Sequence, residues 1–91
     1  MLHVTLYTRR DCHLCEEAKT VLCGVLPDYA AQLEEVDIDG DPTLRERFNA
    51  EVPVVFIEGR KAFKLRVGEG ALRRKLALAR LWSRSGPWGQ T

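Results

Sequence analysis

The 91 residues carry fourteen Lys and Arg against thirteen Asp and Glu, for a net charge of +1, and 45% of them are hydrophobic. A chain of that size suits one core and leaves little room for a second domain, and no apolar stretch approaches the roughly 20 residues of a membrane-spanning helix. The start, MLHVTLYT, lacks the basic residues and long apolar segment of a secretion signal, and three cysteines are too few for a secreted disulfide framework, so the expectation is a cytoplasmic protein.

In chain order, LHVTLYT at 2–8 is β-branched and aromatic and ends in charged residues, which predicts a strand. From Leu14 the apolar positions Ala18, Val21, Leu22, Val25 and Leu26 recur at helical spacing, and Pro27-Asp28 supplies a stop. AQLEEVDID at 31–39 reads as a second strand through Leu33, Val36 and Ile38. Asp41-Pro42 is a cap followed by a first-turn proline, opening a helix to about Phe48. The run Val54 to Ile57, the turn Glu58-Gly59 and then Ala62, Phe63 and Leu65 predict a β-hairpin. EGALRRKLALARLW resumes helical spacing through Leu72, Leu76, Ala79 and the neighbouring Leu78 and Leu81, and SRSGPWGQT reads as a loose tail. The domain is placed at 1–80 and the tail at 81–91.

This order predicts an α/β architecture, a four-stranded mixed sheet with helices on both faces, because the first two strands need a crossover between them. Charge is divided along the chain. Residues 1–57 hold five Lys and Arg against eleven Asp and Glu, whereas residues 58–91 hold nine against two. In a small domain such asymmetry more often marks one solvated basic helix face than a nucleic-acid partner.

The feature that carries chemistry is Cys12-His13-Leu14-Cys15, a C-x-x-C at the junction of the first strand and helix. Together with Val52-Pro53 and the hairpin some forty residues later, it resembles the thioredoxin fold and, within it, a glutaredoxin-like protein. The resemblance covers roughly residues 1–80 and is strongest in YTRRDCHLCEEAKTVL and VPVVFI. It implies a sheet in the order 2-1-3-4, three helices and a thiol–disulfide oxidoreductase cycling Cys12 and Cys15. It also implies a cis Val52-Pro53 bond facing the cysteines, with the backbone of Val52 available to pair with substrate.

Exchange needs an attacking thiolate and a second thiol able to resolve the mixed disulfide, and residues three apart in a first helical turn face one another. Cys12, at the helix start, lies where free N–H groups and the positive end of the dipole favour an anion, so it is the expected nucleophile. Cys15, one turn inside, is the expected resolving thiol. Arg9 and Arg10 favour the thiolate, and Asp11, Glu16 and Glu17 oppose it, with Asp11 more simply explained as a helix cap or first-turn acid. His13 is as readily a surface residue as a proton shuttle. Cys23, about 12 Å farther along the helix than Cys15, is too distant to join the pair and is expected to be a buried free thiol.

Two departures from the glutaredoxin pattern bear on glutathione. His13-Leu14 stands where Pro-Tyr or Pro-Phe is usual, and VGEGALR replaces the Gly-Gly-x-Asp after the hairpin. The resemblance therefore implies no tightly bound cofactor, with glutathione as a candidate co-substrate whose carboxylates Arg45, Lys64 or Arg66 could meet. The implied partner is glutathione or a protein dithiol or disulfide, with no nucleic acid and no membrane, and the protein a monomer. No metal site is expected. Two thiolates fall short of the four ligands of structural zinc, and His3, His13 and Cys23 are not spaced to complete them. The alternative is a metal-binding or iron–sulfur-bridging module in which two chains contribute four cysteines.

Overall fold

Leu2–Thr8 forms β1, one of the two inner strands of a four-stranded sheet ordered β2-β1-β3-β4. The structure is a computed structural model, and it describes residues 2–85 and the side chains of residues 2–81. β1 pairs in parallel with β2 (Ala31–Asp37), from Leu2 opposite Ala31 to Thr8 opposite Asp37. On its other side it pairs antiparallel with β3 (Val54–Ile57), which pairs in turn with β4 (Arg60–Lys64). The crossover between the parallel strands is α1 (His13–Val25), and the other helices are α2 (Pro42–Phe48) and α3 (Glu69–Ser85). The expected sheet order and the three helices are thus both present.

Each element has a local cause. Asp41 caps α2 by accepting from the N–H groups of Thr43 and Leu44 at 2.9 and 3.4 Å, and Pro42 occupies the first turn, where no N–H partner is lost. α1 ends as Pro27 approaches, and the chain continues in a 3₁₀ turn, Leu26–Tyr29, closed by Ala30 in the left-handed region. The hairpin turn has φ 51° at Glu58 and 79° at Gly59, the paired positive angles of a two-residue turn matched to strand twist. Glu58 tolerates this because its N–H donates to the His3 carbonyl at 2.9 Å and its Oε2 accepts from the His3 N–H at 2.7 Å. Phe63 faces Val55 and Lys61 faces Phe56, leaving Ala62 as the extra residue of a β-bulge.

Strand alternation sends side chains to two separate clusters. Leu2, Val4 and Leu6 of β1, with Val55 and Ile57, meet Ala18, Leu22 and Val25 of α1 and Leu72, Leu76 and Ala79 of α3. Side chains of this size contribute about 1.5–3 kcal/mol each when fully buried, so this aliphatic face dominates stability. On the opposite face lies a smaller cluster of Cys15, Ile38, Phe48, Val52 and Val54, with Tyr7, Cys12, Leu44 and Phe56 packed against it. Rings fill much of that space, the centroids of Tyr7 and Phe48 being 4.8 Å apart and those of Tyr7 and Phe56 5.4 Å.

Three sequence expectations are corrected or extended. Ile38, assigned to β2, falls in a 3₁₀ turn, Ile38–Gly40, where the Asp37 side chain accepts from the Asp39 N–H. Leu78 and Leu81 stay exposed because α3 buries only the stripe of Leu72, Leu76 and Ala79. α3 continues to Ser85, past the boundary drawn at residue 80, and the remainder of the expected tail, 86–91, lies outside the described residues. The divided charge is partly recombined on folding, since Arg73 pairs with Asp28 at 3.0 Å and Lys61 pairs with Glu51. Among the described residues, no helix is long and apolar enough to cross a membrane.

Candidate functional site

Cys12 is the N-cap of α1. With φ −113° and ψ 106° it is still extended, and its sulfur accepts from the Cys15 N–H at 3.2 Å. Its sulfur therefore takes the place that a Ser or Asp oxygen usually holds at a helix start, receiving a backbone donor and the positive end of the helix dipole. Cys15, one turn on, is only 2% exposed and belongs to the smaller cluster. The two are joined as a disulfide with Cα atoms 5.2 Å apart, within the usual range for such a bond.

The Val52-Pro53 bond is cis, as the resemblance implied. Val52 packs in the same cluster as Cys15, with Cys12 against it, so the strand-to-helix junction after β1 and the proline loop before β3 meet at one end of the two inner strands. Leu65 pins that loop from beyond β4, its N–H shared between the carbonyls of Pro53 at 2.8 Å and Glu51 at 3.1 Å. A groove of about 240 Å³ runs along α1 from Leu14 to Val21, its other wall formed by Leu65, Arg66 and Val67, and neither cysteine lines it.

The charged neighbours do not behave as the sequence suggested. Asp11 is no cap, because Cys12 fills that position and Asp11 sits at φ 54° in the preceding turn. Arg9 turns to Asp39, meeting its carboxylate at 2.7 Å, and to Asn49, whose Oδ1 it reaches at 2.8 Å. Hydrogen bonding to Asp39 raises the Arg9 pKa, and the same bond lowers that of Asp39. His13 is largely exposed and pairs with Glu17 at 2.9 Å. Arg66 is the one glutathione candidate brought beside Leu14, whereas Arg45 lines a shallow depression on α2 with Pro42, Glu46 and Asn49.

Cys23 is exposed, contrary to the expectation of burial. α1 buries Cys15, Ala18, Leu22 and Val25, and one residue beyond Leu22 the helix has turned about 100°, toward the side of Glu16 and Lys19. Among the described residues, no group of three or more His, Cys, Asp or Glu is placed to hold a metal ion. Sequence reasoning gave no site role to Asp39, Asn49 or Leu65, and it placed Leu65 in the hairpin, whereas β4 ends at Lys64 and Leu65 turns away at φ 69°. They act through contacts to residues remote in the chain, and no local pattern marks them.

A parallel β1–β2 pair joined through α1, an antiparallel hairpin and a C-x-x-C at the first helix start define a thioredoxin-type fold of the glutaredoxin-like kind. Residues 3–77 match the family described as Glutaredoxin-like domain (DUF836), and the chain belongs to that family. It is 30% identical over 77 residues to a glutaredoxin-like protein of Dictyostelium discoideum, covering 78% of this chain and 71% of that one. An uncharacterized protein of Mycobacterium bovis is also 30% identical, over 79 residues and 81% of each chain. The crystal structure of a protein from X. campestris superposes with a TM-score of 0.70 at 33% identity, covering 82% of this chain and 96% of the other. Oxidised thioredoxin from Plasmodium falciparum shares the fold, with a TM-score of 0.61 at 17% identity over 86% of this chain and 80% of its own.

Proposed function

We propose that the protein is a small cytoplasmic thiol–disulfide oxidoreductase that cycles Cys12 and Cys15 between dithiol and disulfide. The observation that carries this reading is the position of the Cys12 sulfur, which caps α1 and accepts the N–H of a nearly buried Cys15. In the reducing half-cycle, the Cys12 thiolate attacks one sulfur of a substrate disulfide, forming a mixed disulfide and releasing the other sulfur as thiolate. Cys15, deprotonated, then attacks the Cys12 sulfur, so the Cys12–Cys15 disulfide forms and the second substrate thiolate leaves. Two thiols of glutathione, or a protein dithiol, return the pair to its reduced state. The substrate backbone would pair with the backbone of Val52 ahead of Pro53, with the protein acting as a monomer and without a tightly bound cofactor.

A coupled disulfide-reduction assay, run with glutathione and thioredoxin reducing systems in turn, tests the proposal. Turnover by the parent, its loss in Cys12→Ser, and a mixed disulfide trapped on Cys12 in Cys15→Ser are the expected results. Activity retained by Cys15→Ser with glutathione would identify a monothiol route. A colourless parent protein is expected after anaerobic reconstitution with iron and sulfide. A stoichiometric visible chromophore without turnover would replace the enzyme by a cluster-bridging module.

A further inference from the structure

We propose that Arg9 is a positioning residue of this site, its guanidinium locking the loop that carries Cys12 onto the end of the helix that leads into Val52-Pro53. The role in substrate attack rests on the redox reading above, and the contacts do not. Arg9 follows β1 directly and stands three residues before Cys12. Its Nε and Nη2 donate to the two carboxylate oxygens of Asp39 at 3.2 and 2.7 Å. Its Nη1 donates to Oδ1 of Asn49 at 2.8 Å and to the Asn49 backbone carbonyl at 3.2 Å.

These partners belong to separate segments. Asp39 lies in the turn after β2, thirty residues from Arg9, and Asn49 is the C-cap of α2, forty residues away and three before Val52. A planar fork is needed to grip a carboxylate through two donors while a third reaches an amide, and a lysine ammonium cannot reproduce that geometry. Ile38 and Phe48 adjoin the two partners in sequence and are buried in the cluster that holds Cys15 and Val52. One side chain thus joins the cysteine loop, the β2 turn and the segment entering the proline loop. Its charge is matched by Asp39, with Asp37 also nearby, so it is occupied in the clamp rather than directed at the Cys12 sulfur.

The test is single-round attack by the reduced full chain on an extended peptide bearing a thionitrobenzoate mixed disulfide. Attack on the peptide sulfur forms the Cys12–peptide disulfide and releases coloured thionitrobenzoate. Arg9→Gln is expected to raise the half-saturating peptide concentration about tenfold, about 1.4 kcal/mol of binding, as the proline loop loses its anchorage. The limiting rate per folded molecule and its pH profile stay as in the parent. Arg9→Lys behaves like Arg9→Gln, and Asn49→Ala shifts half-saturation in the same direction without adding to Arg9→Gln. A limiting rate that falls while half-saturation is unchanged overturns the clamp, as does full rescue by Arg9→Lys. A pH profile displaced upward in Arg9→Gln also overturns it, because Arg9 would then act directly on the thiolate. If Arg9→Gln does not fold, Asn49→Ala carries the same test. Absence of turnover by the parent with every reductant overturns the redox reading alone, since the single-round attack still reports on the clamp.

Discussion

The two faces of the sheet bury similar kinds of atoms to different ends. On one face, α1 and α3 cover an aliphatic cluster with Leu6, Leu22, Leu72 and Leu76 fully buried. On the other, a short helix and a 3₁₀ turn cover a smaller cluster built around Phe48, Phe56 and Tyr7, and this cluster contains Cys15 and Val52. The first face holds the fold together at a distance from the chemistry. The second is both core and foundation of the site, so a change of packing there also moves reactive groups. The division teaches that equal losses of stability need not mean equal losses of function.

Phe48→Ala should give the largest effect, destabilising by about 3–5 kcal/mol in urea denaturation. It should also raise the alkylation rate of Cys15 relative to Cys12 in the reduced, folded protein, because Phe48 helps to enclose the cluster that buries Cys15. Leu72→Ala, its counterpart on the larger face, should cost about 2–5 kcal/mol and leave that ratio unchanged. If both variants shift the ratio alike, the two clusters behave as one core and the comparison fails.

A smaller effect follows from the clamp beside the second cluster. The hydrogen bond from Arg9 holds Asp39 below its ordinary value of 3.8. A carboxylate depressed in the folded state contributes stability fully above its unfolded pKa and loses it as pH falls through the folded value. The urea midpoint of the parent should therefore decline as pH is lowered below 3.8, and part of that decline should disappear in Asp39→Asn. An identical acid decline in both proteins would show that the pair is not linked to folding.

Much of this layout was legible from local pattern. The C-x-x-C at a strand-to-helix junction, Asp41-Pro42 at a helix start and Glu58-Gly59 in a hairpin each combine residue types whose backbone preferences point to one answer. The orientation of Cys23 was not, because Val21, Leu22, Val25 and Leu26 make the apolar stripe of α1 look wider than the face it buries. The use of Arg9 was hidden for a different reason. Its partners stand thirty and forty residues away, and folding alone brings them together. Aspartate commonly fills a helix cap or first turn, which suggests either place for Asp11, whereas the cysteine caps α1 itself and Asp11 stays in the preceding turn.

The smallest expected effect is that of Cys23→Ala, which removes an exposed thiol that belongs to neither cluster. Stability should stay within about 0.5 kcal/mol of the parent, and disulfide turnover should be unchanged. A larger loss in either would give Cys23 a role that its position does not explain.

Iodoacetamide labelling of the fully reduced protein across a pH series, with each cysteine quantified by peptide mass spectrometry, tests the central claim most directly. Cys12 should react fastest and with the lowest apparent pKa, because its sulfur receives the Cys15 N–H at the start of α1. Cys15 should react more slowly at every pH, being nearly buried. The exposed Cys23 provides an internal comparison in the same sample. Faster labelling of Cys15 than of Cys12, or a Cys12 profile no lower than that of Cys23, would contradict the assignment of Cys12 as the nucleophile.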